Sequence, residues 1–487
     1  MSSTIRRLGA IPAVLAGALV LRLVYGVAFA NYDTLYALAW GGQLAQGETP
    51  AYGVPIAPTP HPLLEVLGVV LRPLSPHAEI EVVVALAFIA LATCAWLIYV
   101  LGARWFGRPA GALAALVFLT RVPVISNGVR AYLDIPYLAF VLGALLVLVR
   151  RPRAGTPVLA LLALAGLLRP EAWVFSGLYW LYLVGLVPAR ARRLLPAAEP
   201  VRDRRSLAAL TLLAAAGPLV WLGSDLLITG NPLWSLTNTR HTASLLDRKT
   251  GIANVPVYLP KRIGEVLQAA ALAGAAIGGV LSLVWLRARA LPGATAGVLA
   301  VVIFAAFATV GLPIDTRYAF LAAAILCVFC GAGVCGWTLL PRDHRGRAAW
   351  IALGALIVLA LLATAPTQYR TADKELDALA AQERIEGDME ALVGQGTINL
   401  RCGPVGVPNH APIPLLALYL RASPARIKSA QYSHIESGVY LDPASRYVER
   451  EYILDTHDPV EPVSVPPGFT AAGGNRSWLV FRRCQGG

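Results

Sequence analysis

Apolar runs long enough to cross the roughly 30 Å hydrocarbon core of a bilayer recur along this 487-residue chain, separated by short polar segments, many rich in arginine. They fall at about 9 to 30, 80 to 101, 109 to 125, 132 to 149, 156 to 170, 172 to 188, 206 to 228, 264 to 286, 293 to 312, 318 to 340 and 347 to 365. The spacing predicts about eleven transmembrane helices. With 57% hydrophobic and only 14% charged residues, the chain belongs among polytopic membrane proteins.

The basic residues set the expected orientation, because Lys and Arg of short loops are retained in the cytoplasm. With the N-terminus inside, the inner segments read "IRR", "ARWFGR", "VRRPRAG", "PARARRLLPAAEPVRDRR", "LRARA" and "PRDHRGR", whose only acids are Glu199, Asp203 and Asp343. The opposite side collects the acids Asp33, Asp134, Glu171, Asp225 and Asp315. The net charge of +13 is then mostly topology plus attraction to anionic membrane lipid, not a nucleic-acid footprint. Cys94, Cys327, Cys330 and Cys335 lie in apolar runs and read as small hydrophobes. Cys402 and Cys484 lie in the polar C-terminal segment, outside the cytoplasm, where a disulfide persists.

Two domains follow: residues 1–365 in the membrane and 366–487 as a small α+β extracytoplasmic domain. After residue 365, "TQYRTADKELDALAAQERIEGDMEALVGQ" reads as a helix leaving the membrane, and "GTINLRCGPVGVP", "ARIKSAQY", "SGVYLD" and "RSWLVFRRC" read as strands. Tyr419, Tyr432, Tyr440, Tyr447 and Trp478 are either core or a carbohydrate platform. "AFA" before Asn31 resembles a signal-peptidase site, but the preceding apolar stretch is longer than a signal core and reads as an uncleaved first helix. No internal repeat is visible.

Ionisable residues gather at the outer helix ends, and acids at a membrane edge are costly to keep, so their clustering marks a working cavity. The outer loops run over about 31 to 79, 121 to 131 and 229 to 263. The first carries two helical pieces, "TLYALAWGGQLAQG" and "HPLLEVLGVVLRPLS", with apolar faces suited to the bilayer surface. Between them lies a Pro-rich link with Tyr52 and His61.

The stretch "NYDTLYALAWGGQLAQGETPAY", the "HPLL" segment, "GVRAYLDIPYLAF" (128–140), "GLLRPEAW" (166–173) and "DTRYAFLAAA" (315–324) occur in this order at outer helix ends. Together they resemble the GT-C superfamily of polytopic glycosyltransferases, which includes protein O-mannosyltransferases, aminoarabinose transferases and actinobacterial mannosyl- and arabinosyltransferases. The resemblance covers most of residues 1–340. It implies a sugar, mannose or arabinose by analogy, moved with inversion from a polyprenyl-phosphate donor to a glycan, lipid or protein acceptor on the outer face. It also implies Asp33 as the general base and Arg317, at the "RY" position, on the leaving phosphate.

Arg130, Arg169, Arg240, Lys261 and Arg262 are further phosphate candidates; Tyr52, His61, Asp134, Glu171, His241 and Tyr318 are candidates for sugar or acceptor contacts. Bland alternatives stand beside these. Asp33 is also placed to cap the helix that follows, Asp134 to pair with Arg130 one turn away, and Arg169 to pair with Glu171. The resemblance leaves a divalent metal open as a cofactor: some relatives use such an ion here, whereas in this chain Asp33 is followed by Thr34, not by a second acid. A carrier of lipid-linked saccharide and a cell-envelope scaffold remain alternatives to an enzyme.

Overall fold

The computed structural model describes residues 10–186, 203–454, 458 and 460–484. The inner segments at 5–7 and most of 188–205 lie outside the described residues. Helices dominate: α1 (Ala10–Tyr25), α2 (Tyr32–Ala45), α3 (Pro62–Leu71), α4 (Pro76–Phe106), α5 (Arg108–Leu119), α6 (Val122–Val129), α7 (Asp134–Arg150), α8 (Thr156–Gly166) and α9 (Glu171–Leu183). They continue as α10 (Arg204–Thr229), α11 (Trp234–Leu245), α12 (Val255–Trp285), α13 (Arg287–Thr309), α14 (Phe320–Cys335) and α15 (Arg347–Gly394).

Six helices among the described residues are long and apolar enough to cross a membrane, or seven if the bent pair α5–α6 counts as one. Eleven full spans is therefore more than helix length alone supports. The run at 109 to 125 breaks after Thr120, and its halves meet at 66°. The runs at 156 to 170 and 172 to 188 give helices of 11 and 13 residues, which reach only about 16 and 20 Å. The run is interrupted at Arg169–Pro170, where Pro170 supplies no backbone N–H to continue the first helix.

The long helix α15 runs unbroken through residue 366, so the expected domain boundary falls inside one rod of 48 residues. Its far half carries the C-terminal unit. There β1 (Val405–Val407), β2 (Ile427–Ser429), β3 (Gly438–Pro443), β4 (Thr470–Gly474) and β5 (Trp478–Arg483) form one sheet in the order β2-β1-β3-β5-β4. Strands β2, β1 and β3 are mutually parallel, and β5 pairs antiparallel with both of its neighbours, β3 and β4. Strand β4, with its two glycines, lacks the alternation that identified the others. The short helix α16 (Ile413–Tyr419) covers the start of the sheet. Tyr440 and Trp478 are fully buried core residues, not a platform.

Cys402 and Cys484 are bonded, tying the segment before β1 to the end of β5 across the start of β3. Gly438 sits at this crossing with φ 118°, and a Cβ there would lie 2.1 Å from the Pro404 carbonyl oxygen. The bridge spans 82 residues. On the chain-entropy account its loss costs about 4 kcal/mol, so Cys402→Ser is expected to lower the denaturation midpoint of the C-terminal unit, read by limited proteolysis in urea.

The C-terminal unit is docked onto the first loop. Arg421 donates to Glu79 Oε1 at 2.7 Å and to the Arg72 carbonyl at 3.1 Å. Glu375 and Glu383 of α15 accept from Ser126 Oγ (2.6 Å) and the Ala28 N–H (3.2 Å). As a result Thr34 to Gln43 of α2 are buried on all sides by protein, whereas α3 keeps an exposed apolar edge at Val66 and Val70. Only the second of the two loop helices has the free apolar face expected of a surface helix.

Candidate active site

Asp33 is not the helix cap. Asn31 is: its side-chain oxygen accepts from the N–H groups of Asp33 (2.8 Å) and Thr34 (3.3 Å). The Asn31 amide donates to the Arg130 carbonyl at 2.9 Å, and Thr34 Oγ1 to the Ala131 carbonyl at 2.9 Å. This stitches the start of α2 to the loop before α7 and leaves the Asp33 carboxylate free to point elsewhere. Glycines set the second loop helix against the first: a Cβ on Gly41 would lie 2.4 Å from the Glu65 carbonyl oxygen.

Arg317 Nη1 donates to Asp33 Oδ2 at 2.7 Å, and the two side chains are 21% and 15% exposed. The same nitrogen is 3.9 Å from Asp134 Oδ2. Asp134 Oδ1 accepts from Arg169, correcting the expected partner, Arg130. Arg169 also holds Glu171 Oε1 at 3.0 Å and stacks 4.0 Å over the Tyr318 ring. The acids Asp33, Asp134 and Glu171 thus interleave with Arg317 and Arg169. Burial alone would raise the Asp33 pKa; the charge and hydrogen bond of Arg317 outweigh it and hold the carboxyl below its usual value. The group is ionised at neutral pH, as a base must be.

The turn Thr316–Ala319 that presents Arg317 is braced from α12. Arg262 donates to the Ile314 carbonyl (2.8 Å) and pairs with Glu265 Oε2 (2.9 Å), which accepts from Thr316 Oγ1 at 2.6 Å. Arg262 is therefore a brace and not a free phosphate ligand. Arg130 turns back onto Ser126 Oγ (2.8 Å) and lies over Tyr132. Lys261 is exposed over Tyr258 of its own helix, and Arg240 and His241 are exposed on α11, with Arg240 bonded to the Val310 carbonyl. Tyr52 is buried and donates to Glu65 Oε2 at 2.6 Å, so it serves the loop core.

His61 starts α3, is 9% exposed and has no hydrogen-bond partner at Nδ1. Burial pushes its pKa down to about 3, so the ring is neutral beside Asp33, Arg169 and Arg317. Glu65, one turn on, behaves oppositely: burial pushes it up to about 7, against the hydrogen bond from Tyr52. A carboxyl with a raised folded pKa stabilises fully below its unfolded value near 4.5, and this contribution is lost as pH rises through about 7. Glu65→Gln is accordingly expected to raise the melting temperature at pH 8 but not at pH 5.

A cleft of about 410 Å³, counted to its open mouth, begins at Asp134, Arg169, Glu171 and Arg317 and passes between α7, α9, α13 and α14. Its inner wall is apolar, with Phe175, Ile303, Phe304 and Leu321. These wall residues, together with Asn31, Tyr137 and Glu265, escape a motif-based reading. Only the cap in "NYDT" and the one-turn spacing of Asp134 and Tyr137 leave a sequence signal. As arranged, each of the three acids contacts a guanidinium group, and two guanidinium groups serve all three. Among the described residues no three His, Cys, Asp or Glu side chains are grouped to hold a metal.

No family model and no curated protein matches the chain. Among solved structures it is similar to the Archaeoglobus fulgidus oligosaccharyltransferase in the apo form (12% identity, TM-score 0.44, 86% of this chain and 64% of that one). It is also similar to the oligosaccharyltransferase AglB of the same organism in complex with an inhibitory peptide and a dolichol-phosphate (13%, 0.46, 87% and 65%). The chain spans just under two thirds of the length of these proteins.

Proposed function

We propose that this chain is a membrane-embedded glycosyltransferase of GT-C type that moves a sugar from a polyprenyl-phosphate donor to an acceptor hydroxyl. The carrying observation is the Asp33–Arg317 contact beside a cleft whose lining joins charged residues, Arg317 among them, to apolar ones. The polarity of the lining matches an amphipathic donor, with a phosphate at Arg317 and Arg169 and the first isoprene units along Phe175, Ile303, Phe304 and Leu321 once these side chains part to admit it. Asp33 then accepts the proton of the acceptor hydroxyl while that oxygen bonds to the anomeric carbon and the anomeric carbon–phosphate oxygen bond breaks. The polyprenyl phosphate leaves with the electron pair, its added charge met by the guanidinium groups, and the anomeric centre inverts. In this reading the N-terminus is cytoplasmic and residues 366–487 are extracytoplasmic.

The carrier reading draws on the two helix breaks, α5–α6 and Gln268 of α12, since discontinuous helices often form transport sites. Arg121 fills both. It donates to the carbonyls of Val117 (2.9 Å) and Leu267 (2.8 Å) and to Thr120 Oγ1 (3.0 Å), making the breaks a packed joint. This favours the enzyme. The test is a screen of purified protein with polyprenyl-phosphate pentoses and hexoses, mannose and arabinose first, read by product mass. Transfer from one donor establishes the activity and the sugar together; binding of donors without transfer returns the carrier.

A further inference from the structure

Arg317 is asked to do two things, and the structure shows it doing neither alone. It covers Asp33 Oδ2 at 2.7 Å, while its nitrogen is also 3.9 Å from Asp134 Oδ2, a buried oxygen with no hydrogen bond of its own. Asp134 cannot follow Arg317, because its other oxygen is held by Arg169, which is anchored on Glu171 and stacked on Tyr318. The guanidinium also lies 5.5 Å from the ring centroids of both Tyr132 and Tyr318, so aromatic faces accompany it. The cleft is lined by Arg317, Arg169 and Asp134 but not by Asp33, so an anion within it meets the guanidinium groups and not the base.

Resting on the transferase reading, we infer that Arg317 masks the base until a lipid-borne phosphate draws it away, and that Asp134 is the positioning residue that holds Arg317 in its displaced place. The charge balance requires the order. Asp134 and Glu171 offset Arg169 and Arg317, so Asp33 shares a cation that the cleft also needs. A phosphate that engages Arg317 leaves Asp33 without its counter-charge and therefore a stronger base. The donor binds first, and the acceptor is deprotonated only in its presence. Water entering the donor-free site meets a base already occupied.

The test uses the full chain in lipid nanodiscs and the extent of Asp33 modification by a water-soluble carbodiimide, read by peptide mass. Undecaprenyl phosphate is expected to raise that modification about tenfold, with undecaprenol and inorganic phosphate at equal concentration without effect. Arg317→Gln is expected to be modified at the high level with or without lipid. In Asp134→Asn the undecaprenyl phosphate needed for half the rise increases about tenfold, and Asp134→Glu restores it, which a merely structural role would not do. If undecaprenyl phosphate binds, as shown by a thermal shift, but modification is unchanged or falls, the masking is overturned and the transferase reading survives. If inorganic phosphate acts as well as the lipid, the lipid source is overturned. If undecaprenyl phosphate does not bind at all, the transferase reading fails and this inference with it.

Discussion

Asp33→Asn is expected to fold and to lose sugar transfer, with kcat reduced by about 10²- to 10⁴-fold, the contribution usual for a positioned general base. The amide keeps the shape of the carboxylate and accepts from Arg317 through its oxygen, and Asn31 still caps α2, so neither helix start depends on the charge. Donor affinity should therefore hold or rise, since Arg317 no longer has to leave a carboxylate, while the chemical step fails. The measurement is the rate with a matched donor and acceptor, alongside donor binding. A transfer rate within threefold of wild type would remove Asp33 from the chemistry. A parallel loss of donor binding would make it a structural partner of Arg317 instead.

Arg169→Ala carries the second large effect, and it falls on the fold as well as on activity. Asp134 is 2% exposed, and one of its oxygens relies on Arg169, as does the Oε1 of Glu171. Removing the guanidinium leaves two carboxylates at the cleft without their cation, a loss of about 3 to 5 kcal/mol for a buried pair broken on one side. We expect a lowered melting temperature and poor recovery from detergent. The double variant Arg169→Met with Asp134→Leu is expected to recover part of the stability, with Glu171 still lacking its cation, and none of the transfer, because apolar groups of similar size fill the space but leave Arg317 without its second carboxylate. Recovery of both would reduce the pair to a structural ion pair.

The sequence carried much of this organisation. The apolar runs identified a largely apolar helical unit, and the strand patterns after residue 395 pointed to the C-terminal sheet, whereas the composition change near residue 365 falls inside one helix. "NYD", "LDIPY", "RPE" and "DTRY" named residues that the structure draws into one cluster. What escaped was local or long-range. Whether an apolar run is one helix or two depends on a single joint, and Arg121 closes one by bonding to Leu267, 146 residues away. The candidates set aside, Arg240, Lys261 and His241, have the right chemistry on exposed helix faces, and neither pattern nor charge distinguishes an exposed face from a cleft wall.

Periodicity, charge bias and residue type are properties of single segments, and the sequence by itself determined those: where helices run, which residues are ionisable, and that they gather at helix ends. Pairing is a property of space. Only the tertiary structure decided that Asn31 takes the cap and frees Asp33, that Arg317 lies between two carboxylates, and that Arg262 braces instead of binding. The reason is energetic. A charge taken out of water must find its partner at contact distance, and which of the available partners is reached depends on how five helix ends and one turn pack together.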